Sequence, residues 1–246
     1  MGKSIRLDQA LVQRGLFASR HQAQTAIMAG EVRIDGQVAA KPSDSVQETH
    51  EISVHTRSRY VGRGGIKLEG VLEYFQINCH NKIALDIGAS TGGFTDCLLQ
   101  KGVRKIFAVD VGHGQLAWKI RSDSRVIVLE KTNARRLSRE EIPEPIDLCV
   151  IDVSFISLTL ILPSAFQFLT SDGVILALIK PQFELAREEV SRGGIVRSAE
   201  LHAKAQQKIV ALAQTLGAEV VGLVASMIRG MDGNQEFFIC LRKSSA

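Results

Sequence analysis

The segment from Asp86 to Phe94, DIGASTGGF, contains the residues whose types and spacing most clearly indicate ligand binding. It follows an apolar run that is typical of a buried strand, and it precedes a helical pattern. Glycines at such a turn allow the backbone to approach a ligand closely. Ser90 stands where a GxGxxG dinucleotide fingerprint requires glycine, and the segment lacks the Gly-Lys-Ser/Thr of a P-loop, so neither of those motifs is present.

The spacing Asp-x-Gly-x-x-x-Gly-Gly-Phe in this segment resembles motif I of S-adenosylmethionine methyltransferases. In those enzymes the loop holds the methionine part of the cofactor. The resemblance implies S-adenosylmethionine as the cofactor of this chain. It also implies cofactor contacts at Asp86, Gly88, Ser90, Thr91, Gly92, Gly93 and Phe94.

Two polar residues follow the next two predicted strands. Asp110 ends the second strand, 24 residues after Asp86, and we expect it to accept hydrogen bonds from the two ribose hydroxyls of the cofactor. Asn133 follows the third strand and is a candidate for contact with the adenine edge. A structural Asp at a strand end is common. Together with the glycine segment after the first strand, however, Asp110 and Asn133 make three positions after successive strands, which favours a cofactor site.

Four charged residues could handle a proton at a reaction centre: Lys67, Asp152, Lys180 and Glu236. Methyl transfer requires an acceptor oxygen aligned with the methyl group and a group that manages its proton. A lysine acts as a base only when burial or nearby positive charge lowers its pKa. Asp152, Lys180 and Glu236 lie at predicted strand ends, so they should meet at the edge of the sheet that carries the glycine segment. Any one of them alone would be read as an ordinary strand-end charge.

The order Lys, Asp, Lys, Glu resembles the tetrad of the FtsJ-type 2'-O-methyltransferases. Together with RGGIKL at 63–68, DVSFIS at 152–157 and KPQFE at 180–184, it makes the chain similar to the TlyA family from end to end. That resemblance implies that Lys180 activates the 2'-hydroxyl, that Lys67 and Asp152 hold its charge state and geometry, and that Glu236 completes the hydrogen-bond network. It also implies cytidine 2'-O-methylation of ribosomal RNA in the small subunit, the large subunit or both.

The elements that must position these residues alternate between strands and helices from residue 81 onward. Continuous apolar strands are buried on both faces, which is typical of a doubly wound sheet, and the absence of a helix between the last two strands predicts a hairpin at the sheet edge. We therefore expect a Rossmann-like α/β class I methyltransferase with a seven-stranded, mostly parallel sheet. The expected strands are 83–87, 105–109, 126–130, 148–152, 174–179, 219–225 and 237–241, and the expected helices include 94–100, 158–169 and 199–216.

The first fifty residues predict a small α+β module of two helices and a hairpin. Leu7, Ala10 and Leu11 share one helix face, Ser19 begins a capping-box pattern, and Asp35-Gly36 is typical of a hairpin turn. The segments RLD at 6–8, SR at 19–20 and GEVRIDG at 30–36 resemble the S4 RNA-binding domain. That resemblance implies RNA contacts at Arg6, Arg20 and Arg33.

The charge distribution agrees with an RNA partner. Residues 1–67 contain ten Lys/Arg against six Asp/Glu, a net charge of +4, whereas residues 68–246 contain twenty of each. Neutralisation of phosphates drives nucleic-acid affinity, so a basic module beside a neutral one favours a polyanion such as ribosomal RNA. We expect an S4-like domain at 1–58, a basic flexible linker at 59–67 that adds Arg59 and Arg63 to the RNA contacts, and a methyltransferase domain at 68–246.

Other function classes are disfavoured by the composition. The apolar runs are far shorter than the roughly 20 residues that span a bilayer, and the N-terminus has no signal-peptide core, so we expect a cytoplasmic protein without a membrane partner. The four cysteines and six histidines are scattered, so no metal site is expected. Two alternatives remain open: a non-catalytic RNA-binding or ribosome-binding protein, and a hemolysin-like membrane-active protein. The oligomeric state is left undetermined.

Overall fold

The computed structural model describes residues 4–28, 30–54 and 59–243. The chain divides into two compact units, an N-terminal unit of residues 1–58 and a C-terminal unit of residues 59–246.

The N-terminal unit packs two helices against short antiparallel strands. The first sheet pairs β1 with β4, and the second has the order β3-β2-β5. Its core contains Leu7, Ala10 and Leu11, the helix face that the periodicity predicted, together with Ile27 and Val32. The elements are β1 (Ile5–Arg6), α1 (Leu7–Gln13), α2 (Arg20–Met28), β2 (Val32–Ile34), β3 (Gln37–Val38), β4 (Ser45–Val46) and β5 (Ile52–Val54).

The predicted hairpin is formed by β2 and β3, which pair as antiparallel strands. Asp35 and Gly36 connect them with φ values of 48° and 82°. Positive φ at both central residues is the geometry that matches the twist of the flanking strands, and it explains the Asp-Gly pair.

The C-terminal unit contains the large sheet and its covering helices. The strands are β6 (Ile83–Ile87), β7 (Lys105–Val109), β8 (Val126–Leu129), β9 (Ile146–Ile151), β10 (Leu169–Ile179), β11 (Ala218–Ala225) and β12 (Phe237–Lys243). The helices are α3 (Gly64–Tyr74), α4 (Gly93–Gln100), α5 (Trp118–Arg121), α6 (Leu162–Phe166), α7 (Pro181–Glu184) and α8 (Ala199–Thr215).

The seven strands lie in the order β11-β12-β10-β9-β6-β7-β8. Strands β10, β9, β6, β7 and β8 are parallel, whereas β12 is antiparallel to both β10 and β11. The mostly parallel sheet and the edge hairpin are thus as predicted. Because β12 runs in the opposite direction, it begins beside the C-terminal ends of the parallel strands. Its first residue, Phe237, is the register partner of Ile179.

Hydrophobic clusters cover both faces of this sheet. Helices α3, α4 and α5 contribute to the cluster on one face, and α6 and α8 contribute to the cluster on the other. Neighbouring residues of β6 alternate between the two clusters, with Leu85 in one and Ala84 in the other. Burial on both faces explains why the parallel strands consist of continuous apolar runs.

Two expectations about local structure were wrong. Helix α3 begins at Gly64 and includes Lys67, so residues 64–67 are not a flexible linker. Their glycines serve packing, because a Cβ on Gly65 would overlap the Tyr60 ring and one on Gly64 would lie 3.1 Å from the Phe94 ring. The expected helix over residues 158–169 is interrupted: Leu158–Leu160 form a 3-10 turn, α6 ends at Phe166, and β10 begins at Leu169.

Among the described residues, no helix is long and apolar enough to cross a bilayer. In the same part of the chain, His, Cys, Asp and Glu side chains form no group that could hold a metal ion.

Candidate active site

Two adjoining cavities open where the parallel strands end. The first, called the lysine cavity, has a volume of about 490 Å³ and is lined by Lys67 and Lys180. The second, called the Asp110 cavity, has a volume of about 360 Å³ and is lined by Asp110 and Asn133. Five residues line both cavities, so they form one continuous cleft: Gly88, Ser90, Asp152, Ser154 and Phe155.

The glycine segment forms the wall between the end of β6 and the start of α4. Gly88 has a φ of 87°, and a Cβ at this position would overlap the carbonyl oxygen of Asp152. Only glycine therefore allows the loop to pack against the end of β9. Gly88, Ser90, Thr91, Gly93 and Phe94 line the lysine cavity, as expected of a cofactor loop.

Asp86 and Gly92 differ from the expectation, because neither lines either cavity. Asp86 is fully buried under the loop, where its Oδ2 accepts a 2.6 Å hydrogen bond from the Thr95 hydroxyl. Burial, together with the nearby charge of Asp152, raises the pKa of Asp86 to about 7. The Cβ that a larger residue would place at Gly92 faces Leu116 and Ile120. Both residues therefore support the loop from the side that faces away from the cavities.

Asp110 and Asn133 both line the Asp110 cavity, but each is already held by the backbone. The two carboxylate oxygens of Asp110 accept hydrogen bonds from the Ser90 N–H at 2.8 Å and the Gly112 N–H at 2.7 Å. A carboxylate oxygen can accept a second hydrogen bond, so both remain available to a diol. Asn133 caps a 3-10 turn through its Oδ1, which accepts from the Arg135 N–H.

The four charged residues predicted for the reaction centre all line the lysine cavity, where they form two ion pairs. Lys180 Nζ lies 2.7 Å from Asp152 Oδ1, and Lys67 Nζ lies 2.5 Å from Glu236 Oε2. The relative exposures of Lys67 and Lys180 are only 9% and 8%. A buried ammonium is tolerated when it is paired and hydrogen-bonded, so each carboxylate accounts for the position of its lysine.

Secondary structure explains how distant residues meet. Asp152 and Lys180 follow β9 and β10, which are parallel neighbours, and Glu236 precedes the antiparallel β12 beside them. Lys67 lies in the first turns of α3, a helix that packs in the same cluster as α4. Gly230 also makes room for the site, because a Cβ there would lie 2.5 Å from Glu236 Oε1.

Sequence reasoning missed several residues that complete the cleft. The Ser154 hydroxyl lies 2.8 Å from Lys180 Nζ and accepts a hydrogen bond from it. Arg229, Met231 and Asp232 also line the lysine cavity, from the segment between β11 and β12. That segment carries no motif, so only its proximity in sequence to Glu236 could have indicated it.

Phe155 is the most unusual residue of the cleft. Its side chain is 91% exposed, its φ is 63°, and it lines both cavities. A left-handed backbone is costly for a bulky residue, and a large exposed aromatic group loses hydrophobic stabilisation. Its only ring neighbour among the described aromatic residues is Phe183, at a centroid distance of 5.1 Å. An aromatic face at the mouth of the cleft is suited to stacking on a nucleobase.

Glu184 connects the two segments that carry the Lys180–Asp152 pair. It is buried at the end of α7, four residues after Lys180. Its carboxylate accepts hydrogen bonds from the Leu158 N–H at 2.7 Å and the Ser157 hydroxyl at 2.5 Å, and Lys208 of α8 lies 3.4 Å away. Glu184 therefore fixes the Asp152–Ser157 segment against the segment that follows β10.

The arginines predicted to contact RNA have different surroundings. Arg63 lines the lysine cavity and donates a 3.1 Å hydrogen bond to the Arg229 carbonyl oxygen. Arg59 instead pairs with Glu69 at 2.5 Å and lines neither cavity. In the N-terminal unit, Arg6 and Arg20 lie beside Asp8, and Arg33 donates to the Gly36 carbonyl oxygen.

Comparisons with known proteins show the family of this chain. The FtsJ-like methyltransferase family matches residues 60–243, and the S4 domain matches residues 5–52. The 16S/23S rRNA (cytidine-2'-O)-methyltransferase TlyA of Mycobacterium tuberculosis is 47% identical over 244 residues, covering 98% of this chain and 91% of that protein. The chain belongs to the TlyA family of FtsJ-like methyltransferases. Hemolysin A of Brachyspira hyodysenteriae is 42% identical to this TlyA-family chain, covering 95% of it and 98% of the relative.

Solved structures support the same assignment. A Streptococcus thermophilus protein that bears a hemolysin name matches the TlyA-family chain with a TM-score of 0.76 and 41% identity, covering 100% of this chain and 90% of that one. The magnesium protoporphyrin IX methyltransferase ChlM of Synechocystis covers 74% of the chain and 85% of its own, with a TM-score of 0.53 and 9% identity. The second similarity shows the fold alone, and it agrees with the predicted class I methyltransferase sheet.

Glu184→Ala should lower both stability and methyl transfer in this TlyA-family protein. The substitution leaves the buried Leu158 N–H without its acceptor, which costs about 1–3 kcal/mol of unfolding free energy. Glu184→Gln, which keeps one acceptor oxygen, should lose less. Urea unfolding and turnover of both variants would check this, and equal stability of all three proteins would contradict the role of Glu184.

Asp86→Asn should flatten the pH dependence of stability. Because burial raises the pKa of Asp86 to about 7, the stability that the neutral acid provides is complete at low pH and is lost as pH rises through that value. The wild type should therefore lose unfolding free energy relative to Asp86→Asn between about pH 4 and pH 7. Urea titrations across this range would measure the difference, and parallel curves would refute it.

Proposed function

We propose that this chain transfers the methyl group of S-adenosylmethionine to the ribose 2'-hydroxyl of a cytidine in ribosomal RNA. The observation that carries the proposal is the buried Lys180, held by Asp152 and Ser154 where the lysine cavity joins the Asp110 cavity. The substrate is taken from the Mycobacterium tuberculosis relative, whose name specifies cytidine-2'-O methylation of 16S and 23S rRNA.

The residues of the cleft fit S-adenosylmethionine. Apolar residues such as Ile87, Val109 and Ile161 line the Asp110 cavity and suit a nucleoside, and Asp110 offers two acceptors to its diol. Small residues of the glycine segment, Gly88, Ser90 and Gly93, line the lysine cavity where the methionine part would lie. When bound, the cofactor supplies a methyl group on a positively charged sulfur, which is electrophilic enough for direct transfer.

Lys180 acts on the acceptor hydroxyl. The Lys180 ammonium must first release one proton to solvent. Its neutral Nζ then takes up the 2'-hydroxyl proton as the oxygen binds the methyl group, and the Asp152 carboxylate 2.7 Å away stabilises the ammonium that forms again. Ser154 fixes the direction of the amine through its hydroxyl. The second pair, Lys67 with Glu236, adds no net charge to the wall of the cavity and restricts the position of the ribose.

The remaining parts of the chain hold the RNA. The S4 domain supplies Arg6, Arg20 and Arg33 for phosphate contacts, and Arg63 supplies a further guanidinium at the cleft itself. Phe155 supplies an exposed aromatic face for the base of the acceptor nucleotide. A chain that only bound RNA would not require two buried lysine–carboxylate pairs in one cavity.

Lys180→Ala should lower methyl transfer at least about a hundredfold, since proton transfer by a positioned side chain typically contributes that much. Transfer of tritium from labelled S-adenosylmethionine to ribosomal subunits measures it, and the affinity for the cofactor should stay unchanged. Lys82→Ala is the matched control, because Lys82 precedes β6 at the opposite ends of the parallel strands, away from the cleft. If folded wild-type protein transfers no label, the non-catalytic RNA-binding alternative is favoured. Leakage of liposomes by the same protein would support the hemolysin alternative.

Asp110→Ala should weaken cofactor binding about 10- to 100-fold, because it removes two charged acceptors for the ribose hydroxyls. Isothermal titration with S-adenosylhomocysteine would measure this effect. Asp172→Ala removes an exposed carboxylate near the start of β10 and should leave the affinity unchanged. Equal affinity in wild type and the Asp110 variant would remove this residue from the cofactor site.

A further inference from the structure

Asp8 is a buried carboxylate of α1 that contacts side chains from β1 and α2 of the S4 domain. It lies in the first turn of α1 and has no exposed surface. Its Oδ1 accepts from Arg6 Nε at 3.1 Å, and its Oδ2 accepts from Arg6 Nη2 at 3.2 Å, Arg20 Nη2 at 2.9 Å and Gln24 Nε2 at 2.7 Å. One carboxylate oxygen therefore holds both guanidinium groups side by side.

Both guanidinium groups retain donors for a ligand. The side chains of Arg6 and Arg20 are 45% and 52% exposed, although the carboxylate between them is buried. A guanidinium has five N–H donors, and Asp8 occupies two from Arg6 and one from Arg20. Asp8 also balances only one of the two positive charges. The two partly exposed side chains therefore keep a net positive charge and N–H donors that Asp8 does not occupy.

We propose that Asp8 is a positioning residue that holds Arg6 and Arg20 as a paired site for one RNA phosphate group. The inference rests on the proposed RNA-directed function, and it adds the residue that assembles the S4 contact. Two guanidinium groups repel one another, and each long side chain loses rotamer entropy when it is fixed. The shared carboxylate offsets the repulsion and fixes both side chains in the free protein. RNA binding therefore loses less free energy to repulsion and to side-chain ordering.

The charge of Asp8 is maintained across ordinary conditions. The hydrogen bond from Arg6 holds the pKa of Asp8 well below its usual range. Other arginines of the unit have a different environment: Arg14 donates to the carbonyl oxygens of Gln47, Glu48 and His50, and thus serves the fold. Arg6 and Arg20 instead donate to the same carboxylate oxygen, which keeps their two guanidinium groups close together.

The test measures binding of the full chain to a fluorescently labelled RNA stem-loop over a series of salt concentrations. Asp8→Ala should weaken binding about tenfold, since RNA must then immobilise two mobile arginines. Arg20→Ala should also weaken binding, and it should lower the slope of log affinity against log salt by about one. Asp8→Glu keeps the carboxylate and should recover part of the affinity. Arg104→Ala, an exposed arginine before β7 in the C-terminal unit, is the charge-matched control.

A double-mutant cycle separates positioning from a merely structural role. If Asp8 acts through Arg20, Asp8→Ala should cost no more than about twofold in the Arg20→Ala background. Full additivity of the two losses, or unchanged affinity in a folded Asp8→Ala protein, overturns the proposal. If Asp8→Ala unfolds the domain, the Asp8→Glu variant is measured in its place. A folded Asp8→Glu protein whose RNA affinity and salt slope equal those of Arg20→Ala also overturns the proposal.

Methyl transfer keeps the two proposals distinguishable. At saturating ribosomal substrate, Asp8→Ala should retain the wild-type maximal rate and raise only the KM for RNA. Absence of transfer by wild-type protein would defeat the proposed function while leaving the RNA-binding cycle intact. A loss of maximal rate in Asp8→Ala without any change in RNA affinity would defeat the positioning role alone.

Discussion

The pairing of buried lysines with carboxylates is the interaction on which the catalytic unit depends. An unpaired ammonium inside the protein would cost several kcal/mol, so Lys67 and Lys180 can line the cavity only because Glu236 and Asp152 lie within 2.5 and 2.7 Å. Those pairs require strand ends from distant parts of the chain to meet at one edge. Strand β12 lies between β10 and β11 and runs antiparallel to both, so it places Glu236 beside the C-terminal end of β10. The edge hairpin therefore contributes residues to the lysine cavity.

Close backbone packing is the second constraint, and glycines provide it. Gly88 allows the cofactor loop to contact the end of β9, Gly65 accommodates the Tyr60 ring, and a Cβ on Gly62 would lie 2.7 Å from Thr91 Oγ1. These contacts join the start of α3, the glycine loop and the Asp152 segment into one wall of the cleft. A glycine-rich stretch that resembles a linker in sequence is therefore closely packed at its glycines.

The S4 domain uses the same principle on its surface. A buried carboxylate orders two exposed cations, as the buried carboxylates of the C-terminal unit order two buried ones. In both units the acid fixes the position of the basic side chains. The guanidinium groups are thereby fixed before any ligand binds, which would reduce the entropy lost on binding.

The sequence by itself determined the two-domain organisation, the strand positions, the glycine loop and the four charged residues of the cavity, because period, turn chemistry and motif spacing are local properties. Only the tertiary structure decided which lysine pairs with which acid, since those partners are up to 169 residues apart. The structure also shows that Asp86 is buried under the glycine segment and that residues 64–67 of the predicted linker begin a helix. Ser154 and Glu184 lie within the quoted motifs, but their contacts with Lys180 and Leu158 appear only in the structure. Arg229 was found only there, because contact between distant segments leaves no pattern along the chain.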